Sequence, residues 1–152
     1  MSKRLDRDTY FMQLACLTAQ RGTCPRAIVG CVVVTSGNRI VSTGYNSSYP
    51  GTPHCDDEGC LIHEAHCVRC LHAEEAAILK LEKRYQNLKV YVTHEPCIHC
   101  YKILCNSGVE EIYYLKSYRK ASYSKAYLTL ITEIGIKPQQ ILNGECIIHQ
   151  KF

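Results

Sequence analysis

The chain has 152 residues, 46% of them hydrophobic, with 18 basic and 14 acidic side chains and a formal net charge of +4. That length suits one domain with a real core and is too short for two. The basic residues are scattered, which argues against a nucleic-acid-binding stripe; a small phosphorylated ligand needs only one or two well-placed cations.

No stretch approaches the ~20 apolar residues of a membrane span. The N-terminal Met1-Ser2-Lys3-Arg4-Leu5-Asp6 lacks the apolar run of a signal peptide. The 11 cysteines are therefore expected to be reduced thiols in a cytoplasmic protein, some binding metal and some acting as small core hydrophobes. Cys16, Cys105 and Cys146 fall among the latter.

Tyr10, Phe11, Leu14, Ala15 and Leu17 recur at helical spacing, so Asp8 to Arg21 reads as an amphipathic helix ending near Gly22. Ile28 to Val34 is a continuous apolar run of strand length, covered on both faces, and Arg39 to Gly44 returns beside it after a turn at Ser36-Gly37-Asn38. From Asn46 to Leu71 the pattern dissolves into Pro, Gly, Asp, Cys and His, a long irregular segment that needs something to tie it down. A helix is expected from Leu71 to Arg84, a strand from Leu88 to Thr93, a helix from Cys97 to Ser107 ended by Gly108, and a strand from Glu111 to Leu115. Ser122 to Ile131 reads as a further helix and Gln139 to His149 as a last, weaker strand. Alternating strands and helices predict an α/β fold with three layers, α/β/α, around a central mixed sheet of about five strands.

The chemistry concentrates in His72-Ala73-Glu74 and Pro96-Cys97-Ile98-His99-Cys100. At ~100° per residue, an i, i+2 pair cannot share a helix face, so His72 and Glu74 meet one point only off a helix N-terminus. Cys97 and Cys100 share a face, and Pro96 suits a helix start. Two helix N-termini then converge on one metal, their positive dipole ends favouring thiolates. One imidazole and two thiolates leave a fourth tetrahedral position for water, the pattern of a catalytic zinc. Because two thiolates neutralise the ion's charge, water activation depends on a nearby base, and Glu74 takes that role. A lone C-x-x-C also suits a redox motif or half a zinc ribbon, but in order with H-x-E it is the signature of the zinc-dependent nucleobase deaminases.

Beyond that signature, the chain resembles the deoxycytidylate (dCMP) deaminases of the cytidine and deoxycytidylate deaminase superfamily over most of its length. The matching stretches run from Thr23 to Gly30 and from Ser42 to Asn46, then over His54-Cys55-Asp56-Asp57, Gly59, His66-Cys67-Val68-Arg69, His72-Ala73-Glu74 and Tyr91 to Cys100. The resemblance implies a cytidine-deaminase-like fold and hydrolysis of dCMP to dUMP and ammonia, which supplies dUMP for thymidylate synthesis. It also implies a homo-oligomer, often a hexamer among such relatives, and dCTP and dTTP as effectors. A deaminase of another cytosine nucleotide such as dCTP is the nearest alternative. A nucleotide-binding or DNA-uptake-associated protein with a vestigial deaminase site is a rival of another class, and the intact Glu74 counts against it.

Such relatives can carry a second, non-catalytic zinc, and the matching positions are Cys24, Cys55, Cys60 and His66, with Cys60 standing where a histidine is usual. Four ligands would close that site and order the loop. His63 is an alternative to Cys60 or His66, and Cys67 and Cys70 are also available. Asn46 matches the asparagine that contacts the sugar, and Ala73 and Tyr118 are further substrate-binding candidates. Arg26, Arg69 and Arg119 are candidates for a phosphate or an effector, as is His66 if it does not bind zinc. Tyr118 and Arg119 follow a strand end, where sheets commonly present ligand contacts. Ala76 replaces an asparagine frequent among relatives, and Cys31 an alanine.

Overall fold

The computed structural model describes residues 4–117, 124–141 and 145–146. Helix α1 (Arg7–Ala19) starts at Asp6, whose carboxylate accepts the backbone N–H of Thr9 at 2.8 Å, a side-chain N-cap. It buries Phe11, Met12, Ala15, Cys16 and Ala19. Strand β1 (Gly30–Val34) is buried at every residue, which explains its unbroken apolar sequence, and pairs antiparallel with β2 (Ile40–Tyr45).

The stretch expected to be irregular contains short paired pieces. These are β3 (Ser47–Ser48), the one-turn helix α2 (Cys55–Glu58), β4 (Ile62–His63), β5 (His66–Cys67) and β6 (Cys70–Leu71). Strand β3 pairs with β6 and β4 with β5, both antiparallel. Helix α3 (Ala73–Leu79), strand β7 (Leu88–His94), helix α4 (Ile98–Asn106), strand β8 (Val109–Lys116), helix α5 (Lys125–Ile134) and strand β9 (Gln139–Gln140) follow.

The main sheet has the order β2-β1-β7-β8-β9, with β7, β8 and β9 parallel and β1 antiparallel to β7. Its strands alternate sides with period two. Val32, Val34 and Tyr91 face α1 with Phe11, Met12 and Ala15. Cys31, Val33, Val90 and Val92 pack on the opposite side with Ala73 and Ala77 of α3, Tyr101 and Leu104 of α4, and Tyr127 of α5. The mixed five-stranded sheet with helices on both faces is the architecture expected from sequence.

Two glycines set how closely the helices approach. A Cβ on Gly30 would overlap the carbonyl of Ala15 in α1, and one on Gly44 would overlap the carbonyl of Ala73 and sit 2.5 Å from the N of Ala77 in α3. Gly44 thus seats the first turn of α3 directly on β2, and Ser42 Oγ donates to Ala77 O at 2.6 Å further along.

The last strand expected within Gln139 to His149 is seen at Gln139–Gln140, and residues 142–144 and 147–149 of that range lie outside the described residues. Two expectations are corrected. Helix α3 stops at Leu79, not Arg84: the charged Glu82, Lys83 and Arg84 stay exposed, while the backbone at Tyr85 passes against Gly108 on its way into β7. Cys16 and Cys146, expected as thiols, form a disulfide across 130 positions. Cys16 lies on the buried face of α1, Cys146 packs against the same apolar cluster, and Gln13 Nε2 donates to Glu145 O at 2.6 Å beside them.

Candidate active site and metal centres

His72 is the N-cap residue of α3 and Cys97 the N-cap residue of α4. Pro96 therefore stands one position before the cap, and both ligand-bearing loops end in helix N-termini, as the i, i+2 spacing of His72 and Glu74 requires. The backbone N–H of Cys100 donates to Cys97 Sγ at 3.5 Å. His72 Nδ1 lies 3.3 Å from Cys100 Sγ and 3.7 Å from Cys97 Sγ. A tetrahedral zinc with bonds of ~2.05 Å to nitrogen and ~2.3 Å to sulfur sets that separation at ~3.6 Å, so both nitrogen–sulfur separations are close to what the ion requires.

The electrostatics of the three groups agree with that fit. Hydrogen bonding from Cys100, and then from His72, outweighs burial and brings the Cys97 thiol down to about 3. Hydrogen bonding to Cys97 in turn raises His72 to about 9. Hydrogen bonding with Cys97, and then burial, push Cys100 well up. Metal binding displaces whatever protons these groups still hold.

Glu74 is buried, at 4% exposure, and faces the same cleft as the triad without being one of the three clustered ligand atoms. Burial raises its carboxyl to about 7, against an opposing pull from backbone hydrogen bonding and His72. A carboxyl poised there can both take and return a proton near neutrality. Cys31 on β1 is fully buried; burial and then the Glu74 carboxylate push its thiol up.

The cleft is lined by Arg26, Ala27, Asn46, His66, Ala73 and His94 around His72, Glu74 and Cys97. Asn46 is buried, and both ends of its amide are engaged: Oδ1 accepts Val29 N–H at 2.8 Å and Nδ2 donates to Ala27 O at 2.5 Å. It fastens the loop before β1 as well as bordering the cleft. Ala73 is the first residue of α3 and buried. Arg26 Nη2 donates to Ala65 O at 2.9 Å, and Arg69 Nε donates to Gly59 O at 3.0 Å. Arg26 borders the cleft, whereas Arg69 braces the α2–β4 connection. Tyr118 and Arg119 lie outside the described residues.

A second sulfur cluster adjoins the cleft. The Sγ atoms of Cys24, Cys55, Cys67 and Cys70 lie within 4.8 Å of one another. Cys55 Sγ is 3.5 Å from Cys67 Sγ and 3.4 Å from Cys70 Sγ, near the ~3.8 Å that four ~2.3 Å zinc–sulfur bonds impose. Of the four ligands expected from sequence, Cys24 and Cys55 belong to this group, and Cys60 flanks it at 3.7 Å from Cys24 Sγ. His66 does not join: it is exposed and pairs with His63 across the β4–β5 ribbon, while its neighbour Cys67 points to the sulfurs. Burial and neighbouring thiols push Cys55 far up. At Cys67, burial is outweighed by backbone hydrogen bonding at Arg69 and by the Cys55 thiol, which bring it down to about 6.

His94 and Glu95 were not singled out from sequence, yet both border the cleft, and Glu95 is buried. Their position at the end of β7, directly before the Pro96-Cys97 pair, is the signal that could have found them.

Three comparisons bear on this geometry. The model of the cytidine and deoxycytidylate deaminase zinc-binding region matches residues 5–116. Among curated proteins, ComE operon protein 2 of Bacillus subtilis is 38% identical over 152 residues, covering 98% of this chain and 78% of that protein. The deoxycytidylate deaminase of Mycobacterium phage D29 is 34% identical over 125 residues, covering 74% of this chain and 97% of the phage protein. The deoxycytidylate deaminase of Schizosaccharomyces pombe is 34% identical over 91% of this chain, which spans 45% of that longer protein. Among solved structures, the dCMP deaminase of cyanophage S-TIM5 in complex with dCMP and dUMP superposes with a TM-score of 0.75 at 24% identity, over 92% of this chain and 100% of that one. This last likeness is one of fold.

Proposed function

Because the chain belongs to the cytidine and deoxycytidylate deaminase family, we propose that it hydrolyses dCMP to dUMP and ammonia, with His72, Cys97 and Cys100 holding zinc. The observation that carries this reading is Glu74: a buried carboxyl raised to about 7 beside the ligand group. A purely structural metal site has no use for it.

Zinc bound there supplies a Lewis acid that makes water nucleophilic near neutral pH. Glu74 takes the proton of the water that attacks C4 of the cytosine and delivers it to ring N3. The same carboxylate then takes the proton of the new C4 hydroxyl and passes it to the amine, which leaves as ammonia as the C4–N bond breaks and the C4 carbonyl forms. Water adds one oxygen to the pyrimidine and the amine departs, so dCMP and water balance dUMP and ammonia. The walls at Asn46, Ala73 and His94 orient the nucleotide, and Arg26 is the cation nearest to hand for its phosphate.

Deoxycytidylate is favoured over other cytosine compounds by the relatives of that name, one of which is matched over nearly its whole length. Ammonia release from the purified protein with dCMP, dCTP, deoxycytidine and a tRNA tests the choice. Turnover of dCMP above the others is expected; turnover of dCTP alone, or nucleotide binding without ammonia, defeats it. The same reading includes a second, structural zinc at the cysteine cluster, a homo-oligomer and response to dCTP and dTTP. Light scattering, and rates measured with each triphosphate added, test the last two.

A further inference from the structure

A hydrogen-bonded strip crosses from the end of β2 to the end of β7. Asn46 Oδ1 accepts Val29 N–H, the next N–H along, that of Gly30, donates to Thr93 Oγ1 at 3.1 Å, and Thr93 Oγ1 lies 3.2 Å from His94 Nδ1. A hydroxyl has one proton to give and two lone pairs to offer. Gly30 occupies a lone pair, so the Thr93 proton is available for Nδ1. The opposite arrangement, with a proton on Nδ1, would leave the hydroxyl proton of a residue only 3% exposed to find another acceptor. Nδ1 is thereby the acceptor, and the ring carries its proton on Nε2.

His94 is half-buried and borders the cleft shared by Asn46, Ala73, Glu74 and His72. Burial, and then Lys116 opposite it on β8, lowers its pKa. With Nδ1 committed to Thr93, Nε2–H is the polar group the ring has left for a ligand. The reacting C4 and N3 of a cytosine must meet Glu74 and the three ligands. His94 is not among the clustered ligand atoms, and it lies on the strip that begins at Asn46.

We propose that His94 is a specificity-determining residue whose Nε2–H, set by the Thr93 hydroxyl, donates a hydrogen bond to an oxygen of the sugar–phosphate part of the nucleotide. Thr93 is then a positioning residue. The proposal rests on the dCMP reading above for its ligand, but the tautomer does not.

Long-range proton–nitrogen correlation NMR on the nitrogen-15-labelled holoprotein reads the tautomer directly. A proton on Nε2 is expected, and a proton on Nδ1 overturns the proposal. In steady-state kinetics, H94F and T93V are expected to raise KM for dCMP about tenfold, the effect of one lost hydrogen bond, while kcat changes less than about twofold and zinc content is kept. T93S keeps the hydroxyl and is expected to keep KM. It also serves as the folded control should T93V not accumulate. An unchanged KM in H94F, or equal losses in T93S and T93V, overturns the proposal. A KM rise on both dCMP and deoxycytidine assigns the bond to the sugar, and a rise on dCMP alone to the phosphate. Wild-type protein that turns over no dCMP defeats the deaminase reading and leaves the NMR result standing.

Discussion

The backbone N–H of His72 donates to the Glu75 carboxylate at 2.9 Å, so the residue that opens α3 is held by a side chain one turn further on, half of a capping box. The other oxygen of that carboxylate lies 3.4 Å from His99 Nε2 on α4. Glu75 therefore touches both helix N-termini that carry the expected zinc ligands. Glu75→Ala is expected to lower stability by about 1 kcal/mol, the usual worth of a cap, and to weaken zinc affinity by loosening His72. Glu75→Gln still accepts the His72 N–H and should keep most of both. Chemical denaturation and competition with a chromophoric chelator separate the two variants; equal zinc affinity in wild type and Glu75→Ala counts against the link.

Glu74 has a different task from its neighbour, because it faces the cleft and is buried. Glu74→Gln preserves its shape and removes the proton carrier. Zinc content should stay as in wild type while kcat on dCMP falls by about 10³-fold, within the usual range for a general acid–base. Loss of metal in this variant would make Glu74 a structural element, and retained turnover would remove it from the mechanism.

The two candidate metal clusters were legible in sequence to different degrees, for a physical reason. His72, Glu74, Cys97 and Cys100 lie two and three positions apart, so helix geometry alone says how they meet. The second cluster draws Cys24, Cys55, Cys67 and Cys70 from four separate pieces of chain. Only the β4–β5 register, with Ile62 opposite Cys67 and His63 opposite His66, decides that the cysteine and not the histidine turns inward. Cys16 and Cys146 show the same limit, since no local pattern connects positions 130 apart. His94 escaped notice because its meaning lies in the hydroxyl of Thr93 and the N–H of Gly30, a neighbour across the sheet.

The cysteine cluster makes a prediction that metal analysis can decide. Two zinc ions per chain are expected for wild type. Cys67→Ser and Cys70→Ser should each reduce the count towards one, whereas His66→Ala should retain two. The reverse pattern would restore the ligand set read from sequence. Because Cys70 lies two residues before His72, loss of the second ion should also slow turnover, which the same preparations can report.

At the other end of the chain, Asp6 caps α1. Its carboxyl is held below the usual 3.8 by the backbone N–H of Thr9 and then by the Thr9 hydroxyl. A depressed carboxyl stabilises the fold above its unfolded value and loses that contribution as pH falls through the folded one. Asp6→Asn keeps a capping oxygen without the charge. Wild type should melt above Asp6→Asn at neutral pH, and the gap should narrow as pH falls below the ordinary carboxyl value of 3.8. Thermal melts at the two pH values check this; a gap that does not change with pH would show that the charge contributes nothing.

Gly44 links the sheet to the helix turn that carries His72 and Glu74. A Cβ there would overlap the carbonyl of Ala73, the residue between His72 and Glu74, and would crowd Ala77 on the next turn. Both obstacles are helix backbone, which cannot step aside as a flexible side chain does, so α3 itself has to lift off β2. Gly44→Ala is expected to cost about 1–3 kcal/mol of stability, the usual range for overpacking. Because the displacement falls on the first turn of α3, zinc affinity and kcat should drop further than a remote substitution of equal stability cost would lower them. Gly37→Ala is the control: its Cβ would meet only the Thr35 hydroxyl, at 3.8 Å, and both properties should survive. If Gly44→Ala loses stability but binds zinc and turns over dCMP as wild type does, the seating of α3 on Gly44 does not position the site.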